Sequence, residues 1–94
     1  MIVLNVTYKC KKDLRDEYLE RIMAEGIDKA SREEAGNLKY DYYYAAADDD
    51  ELFLFEKWKD AEAFEEHKKQ PHFQKLQELK GEYLEDTIID RYEI

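Results

Sequence analysis

The sequence predicts an α+β fold, β-α-β-β-α-β with a four-stranded antiparallel sheet, and three observations carry that prediction. Two stretches with the apolar rhythm of a helix, one from Asp13 and one from Asp60, are each flanked by short runs rich in β-branched and aromatic residues. The two middle runs are separated only by Ala46-Ala47-Asp48-Asp49-Asp50, a link too short for anything but an antiparallel hairpin. The 94 residues, 44% of them hydrophobic, suffice for one compact core, so residues 1–94 are expected to form a single domain.

Residues 2–8 read as the first strand, bounded by the polar stretch 9–12. Strand parity puts Val3, Asn5 and Thr7 on one face and Ile2, Leu4, Val6 and Tyr8 on the other. Both faces are therefore expected to be partly covered, with Asn5 pointing into a covered region. From Asp13, which offers an N-cap, Leu14, Tyr18, Ile22, Ile27 and Ala30 follow the spacing of one buried helical stripe running toward Glu34. Gly36-Asn37 then supplies residues tolerant of the left-handed backbone on which helices commonly end. Residues 38–45 alternate strictly, Tyr40, Tyr42 and Tyr44 against Lys39, Asp41 and Tyr43, and residues 52–58 complete the hairpin.

Asp60 can cap a second helix containing Ala61, Phe64 and His67. Pro71 interrupts it and opens a new segment with Phe73, Leu76 and Leu79, which Gly81 ends. Residues 84–94, with Ile88, Ile89 and Tyr92, form the last strand. This is the ferredoxin-like order, whose right-handed crossovers place both helices on one face of the sheet. The other face is left bare, with Leu4, Val6, Phe53 and Phe55 as its expected apolar members, and a second copy of the chain would cover it. A homodimer is the expected assembly.

Charge and composition exclude several classes of partner. The 24 acidic residues outweigh 15 basic ones for a net charge of −9, which repels nucleic-acid backbones and anionic membranes. Eight tyrosines and four phenylalanines give a dense aromatic core from a short chain. The single cysteine, Cys10, can form no internal disulfide, and the opening residues lack the basic and long apolar stretches of a secretion signal. A reducing, cytoplasmic setting is expected, with Cys10 an ordinary strand-end thiol. No repeat or low-complexity tract is present.

The most informative segment is Glu56-Lys57-Trp58-Lys59-Asp60-Ala61-Glu62-Ala63-Phe64-Glu65-Glu66-His67-Lys68-Lys69-Gln70-Pro71-His72-Phe73. It resembles the signature of antibiotic-biosynthesis monooxygenases: a strand ending in Glu-x-Trp, a helix carrying Ala-Phe-x-x-His, then Pro-His-Phe. Glu34-Ala35-Gly36-Asn37-Leu38-Lys39-Tyr40-Asp41 is similar to the family's join between first helix and second strand. The resemblance implies a dimeric α+β barrel with one pocket per subunit between sheet and helices, and an oxygenation that needs no metal, flavin or other cofactor. Such chemistry is reasonable because an electron-rich phenolate or quinol can itself reduce dioxygen; the protein need only deprotonate, desolvate and hold it.

Asn5, Trp58 and His67 are the candidate catalytic residues. A buried amide at Asn5 needs partners, and the resemblance places a first-strand asparagine in the pocket. Trp58 offers a ring face and an indole N–H, against the plain alternative of core packing. His67 lies on the apolar side of its helix, able to act as base or acid near neutral pH. Tyr40, Tyr42, Glu56 and His72 are the candidate substrate-binding residues, with Glu56 a base of raised pKa if buried and most of the tyrosines serving as packing area. A metal site is not expected, because His67 and His72 are separated by Pro71 with no zinc-like spacing.

Three readings of function remain open. The first is a cofactor-independent monooxygenase for a small quinol or polycyclic aromatic. The second is an isomerase similar to the one that processes phosphorylated autoinducer, whose sequences share Gly-Asn-Leu-x-Tyr/Phe-Asp and His-Lys-x-x-Pro-His; the third is a non-catalytic, small-molecule-binding dimer. A haem-degrading branch of the same superfamily matches at Asn5 but not elsewhere, since its helix tryptophan position holds His67 and its ligand position falls near Gln77, a poor iron ligand.

Overall fold

The computed structural model describes residues 1–94. The elements run β1 (Ile2–Cys10), α1 (Arg15–Ala24), α2 (Ile27–Arg32), β2 (Asn37–Tyr44), β3 (Glu51–Trp58), α3 (Ala61–His67), α4 (Pro71–Tyr83) and β4 (Leu84–Glu93). The strands form one antiparallel sheet in the order β2-β3-β1-β4, the ferredoxin-like topology that the element order predicts.

Cross-strand register decides what each face carries, because opposed residues point the same way. Tyr40, Glu56, Leu4 and Arg91 form one row across all four strands, and Tyr42, Leu54, Val6 and Ile89 form the next. These rows lie under the helices: Leu4, Val6, Tyr8, Leu52, Leu54 and Trp58 are buried together with Tyr18, Ile22, Ile27, Leu76, Leu79 and Tyr83 of the helical layer. The opposite face carries the rows Asp41, Phe55, Asn5, Asp90 and Tyr43, Phe53, Thr7, Ile88. The expected membership of the bare face is therefore half corrected. Phe53 and Phe55 are on it, but Leu4 and Val6 are not; Val6 opposes Leu54 and Leu4 opposes Glu56, which commits both to the helix side. Tyr43, Ile88 and Tyr92 are exposed apolar side chains on the sheet, 45%, 43% and 51% accessible.

The helices differ in detail from the expected ones. The stretch from Asp13 toward Glu34 is two helices, because Gly26 adopts φ 69°, a left-handed conformation that ends α1 and re-aims the chain so that Ile27 and Ser31 are buried. Asp13 is not a side-chain cap: it has φ 66° itself, and its N–H donates to Asp50 Oδ1 at 2.9 Å, tying the helix entry to the β2–β3 turn. Asp60 does cap α3, accepting from the Ala63 N–H at 2.8 Å, and Pro71 occupies the first turn of α4, where no backbone donor is needed. Gly81 does not end α4, which continues to Tyr83 because that ring is buried against Tyr18 at 5.6 Å.

At the α2–β2 join, Asn37 Nδ2 donates to the Lys39 carbonyl at 3.0 Å across a register shift, and the Lys59 N–H donates to the Gly36 carbonyl at 2.9 Å. A Cβ on Gly36 would overlap that of Ala63, so this backbone approach fixes where α3 and its histidine stand. Gly36→Ala is expected to destabilise the fold by about 1–3 kcal/mol through overpacking. Gly81→Ala, which meets nothing within 4 Å, should be neutral or stabilising by about 0.5–1 kcal/mol. Urea denaturation midpoints of the two variants check both.

Candidate active site

Between the sheet and helices α3 and α4 lies a cavity of about 400 Å³. Leu4, Val6 and Tyr8 of β1 form its base, and Tyr40 and Glu56 close it on the β2–β3 side. The α4 residues Phe73, Leu76, Gln77 and Lys80 follow i, i+3, i+4, i+7 spacing, so one stripe of that helix forms a wall. Phe64, His67 and Lys68 of α3 and Ile89 and Arg91 of β4 complete it. The volume suits a one- or two-ring aromatic molecule.

Glu56 is buried in this cavity at 6% exposure. Its Oε1 accepts from the Trp58 Nε1–H at 3.0 Å, which leaves Oε2 to the cavity. Burial pushes the carboxyl pKa up to about 7; the Trp58 hydrogen bond and the Lys80 charge oppose that rise without cancelling it. Trp58 is itself fully buried, and its ring centroid stands 4.5 Å from that of His67.

His67 is 2% exposed, and its Nδ1 meets Glu34 Oε2 at 2.6 Å. The same oxygen receives His72 Nε2 at 2.8 Å. A carboxylate only accepts, so both imidazoles donate to it, and the second nitrogen of His67, Nε2, is left with its lone pair. Burial holds the His67 pKa below its ordinary value, the Glu34 hydrogen bond pulling the other way. Burial thus acts on the two cavity-lining groups in opposite directions, favouring the protonated form of Glu56 and the neutral form of His67.

The sequence model of the antibiotic biosynthesis monooxygenases matches residues 1–79. The chain belongs to the antibiotic biosynthesis monooxygenase family. Its backbone is similar to that of the solved structures of PA3566 from Pseudomonas aeruginosa (28% identity, 99% of this chain and 92% of that one, TM-score 0.86) and Rv0793 from Mycobacterium tuberculosis (26%, 99% and 93%, TM-score 0.85). A third similar structure is a conserved Bacteroides thetaiotaomicron protein of unknown function described as a possible oxidoreductase (26%, 99% and 96%, TM-score 0.86). No curated protein gives a significant match.

Within this antibiotic biosynthesis monooxygenase domain, Glu56, His67 and Tyr40 line the cavity. Trp58 lies behind the lining, where it holds Glu56 and stacks on His67. Tyr42 backs Tyr40 through a 3.2 Å contact between hydroxyls, and His72 stands behind His67, its ring centroid 5.7 Å away and its Nε2 on the same Glu34 oxygen. Asn5 is not brought to the cavity. It opposes Phe55 and Asp90 on the open face, since parity separates two faces of β1 but does not say which one the helices cover. Cys10 is buried with its thiol pushed up to about 11.

Three further residues enter the site. Tyr8 lines the cavity, and burial holds its pKa well above the usual phenol value, which keeps it a proton donor. Its parity with Leu4 and Val6 is the signal that points to it. Lys80 shares the helical stripe of Phe73 and Leu76. Glu34 has no local signal, as it meets the histidines from 33 and 38 residues away. Glu34, His67 and His72 also form the one group whose metal-ligating atoms converge, all within 4.8 Å. The two N···O separations, 2.6 and 2.8 Å, are hydrogen-bond distances. Ligands of a tetrahedral zinc stand about 3.3 Å apart, so the cluster would have to spread to take an ion.

The raised Glu56 pKa has a stability consequence whose sign is definite. The folded chain holds the Glu56 proton more tightly than the unfolded chain, so the stabilising contribution present below pH 4.5 is lost as pH rises through about 7. Glu56→Gln removes the charge while keeping an acceptor for the Trp58 N–H. Its gain in stability should grow between pH 5 and pH 8 and level off at up to about 3 kcal/mol. Chemical denaturation of both proteins across that range measures it; a gain that shrinks with rising pH would contradict the assignment.

Proposed function

We propose that the cavity oxidises a small hydroxylated aromatic, a quinol or a fused-ring relative, with dioxygen. The observation that carries this reading is a buried carboxyl group, Glu56, and a buried imidazole, His67, whose Nδ1 is taken by Glu34 and whose Nε2 is free, lining one aromatic-walled cavity. His67, held by Glu34, takes the substrate hydroxyl proton, and the resulting electron-rich anion gives electrons to dioxygen. Glu56 returns a proton to the developing oxygen anion, and the Tyr8 hydroxyl donates a hydrogen bond to the ring oxygen. For a quinol the overall change balances without a further reductant. One oxygen atom enters a ring carbon, the other leaves as water, and the substrate supplies all four electrons in becoming a hydroxyquinone.

Family membership supports the oxygenase reading over the isomerase one, while the same acid and base would serve either. The open face, with Phe53, Phe55, Tyr43, Ile88 and Tyr92, is assigned to a second copy of the chain, and Asn5 to that interface.

Oxygen-electrode assays with hydroquinones and anthrones test the reading. Uptake by the wild-type protein is expected, with Glu56→Gln and His67→Asn each lowering kcat/KM by about 10²-fold or more. The rate should fall above pH 7 as Glu56 loses its proton. Turnover that proceeds equally well without oxygen would favour isomerisation and overturn it. Sedimentation at micromolar concentration should give a dimer, and Phe55→Lys, on the open face, a monomer.

A further inference from the structure

The charged residues of the cavity lining differ in burial: Glu56 and His67 are buried, while Lys68 and Lys80 are half-buried and Arg91 is exposed. In a chain with 24 acidic against 15 basic residues, a lining with three cations and one carboxyl group runs against the overall charge. Lys80 is the most telling of the three. It is half-buried, with Nζ 5.4 Å from the Tyr8 ring centre, and it makes no hydrogen bond or ion pair. Burial lowers its pKa, and Glu56 opposes that from beyond ion-pair distance. An ammonium group partly withdrawn from water with a ring face but no anion against it is incompletely compensated, and an anion placed there supplies the missing charge-assisted hydrogen bond.

Lys68 and Arg91 stand over the Phe64 ring at 5.1 and 5.5 Å. Their own carboxylate partners, Glu65 and Glu93, are 56% and 70% exposed. Such surface pairs are weak and readily exchanged for a better-placed anion. Between Lys80 and Glu56 there is thus room for a molecule that presents negative charge to the first and a hydroxyl to the second.

We propose that the cavity selects an aromatic substrate bearing an anionic group, a carboxylate or a phosphate monoester, which is seated on Lys80 with Lys68 and Arg91 as outer cations. The ring lies along Phe64 and Tyr8 and directs its hydroxyl to Glu56 and His67. The inference rests on the cavity being the substrate site, and it makes Lys80 a specificity-determining residue for that site whatever the chemistry that follows.

Anaerobic calorimetric titration with 2,5-dihydroxybenzoate and with hydroquinone tests it, since the two differ only in the carboxylate. The wild-type protein is expected to bind the carboxylated compound at least tenfold more tightly. Lys80→Met should abolish that preference, so that the variant binds the carboxylated compound no more tightly than hydroquinone, and Lys80→Arg should restore most of it. Benzoate and phenyl phosphate as competitors identify the anion; displacement by either supports the proposal, and displacement by neither overturns it. Equal affinity for the matched pair, a preference that survives in Lys80→Met, or no binding of either compound at millimolar concentration also overturns it. Anion preference without oxygen uptake under air would leave this proposal standing and remove the oxygenase reading. Uptake on neutral quinols with no anion preference would do the reverse.

Discussion

A single hydrogen bond, from the Trp58 indole N–H to Glu56 within β3, is the interaction around which the site is built. It exists because both residues have the parity of Leu52 and Leu54, the strand positions that face the helices. A slip of one residue in the β1–β3 register would turn Glu56 and Trp58 to the open face and bring Phe55 and Lys57 under the helices. The chain resists that slip through the apolar pairs Val6–Leu54 and Tyr8–Leu52, which would be lost with it. Packing of ordinary core residues thereby forces a carboxyl group into a place where its charge is unfavourable. The group responds by keeping its proton.

The second half of the site comes from the helical side and depends on close backbone approach. Gly36 lets the β2 entry pack against Ala63 of α3, which carries His67 to the Trp58 ring and within reach of Glu34. Glu34 then orients two imidazoles at once, so that the one facing the cavity has a defined free nitrogen. Arrangements of this type trade stability for chemistry. A glutamine at position 56 would be easier to bury, and it could not move a proton.

Much of this was readable in the sequence because it follows local periodicity. The element order, the Asp60 cap, the Pro71 helix start and the place of His67 on the apolar side of its helix all arise from spacing within a few residues. What the sequence left open required contacts between distant segments. Parity divides β1 into two faces, yet only its pairing with β3 shows that Leu4 and Val6 face the helices and Asn5 faces away. Gly26 reads as one position in a helical stripe until its left-handed backbone breaks that helix in two. Glu34 and Lys80 resemble many other surface charges, and only tertiary packing sets them apart.

The protonation of Glu56 can be followed directly. Carbon-13 NMR of the side-chain carboxyl of Glu56, titrated from pH 4 to pH 9, should show a midpoint near 7, far above the ordinary 4.5. In the same experiment a Trp58→Phe variant, which lacks the indole donor that favours the charged form, should shift the midpoint upward. A wild-type Glu56 with a midpoint near 4.5 would mean that the carboxyl is hydrated rather than enclosed, and it could not serve as the proton donor of the site.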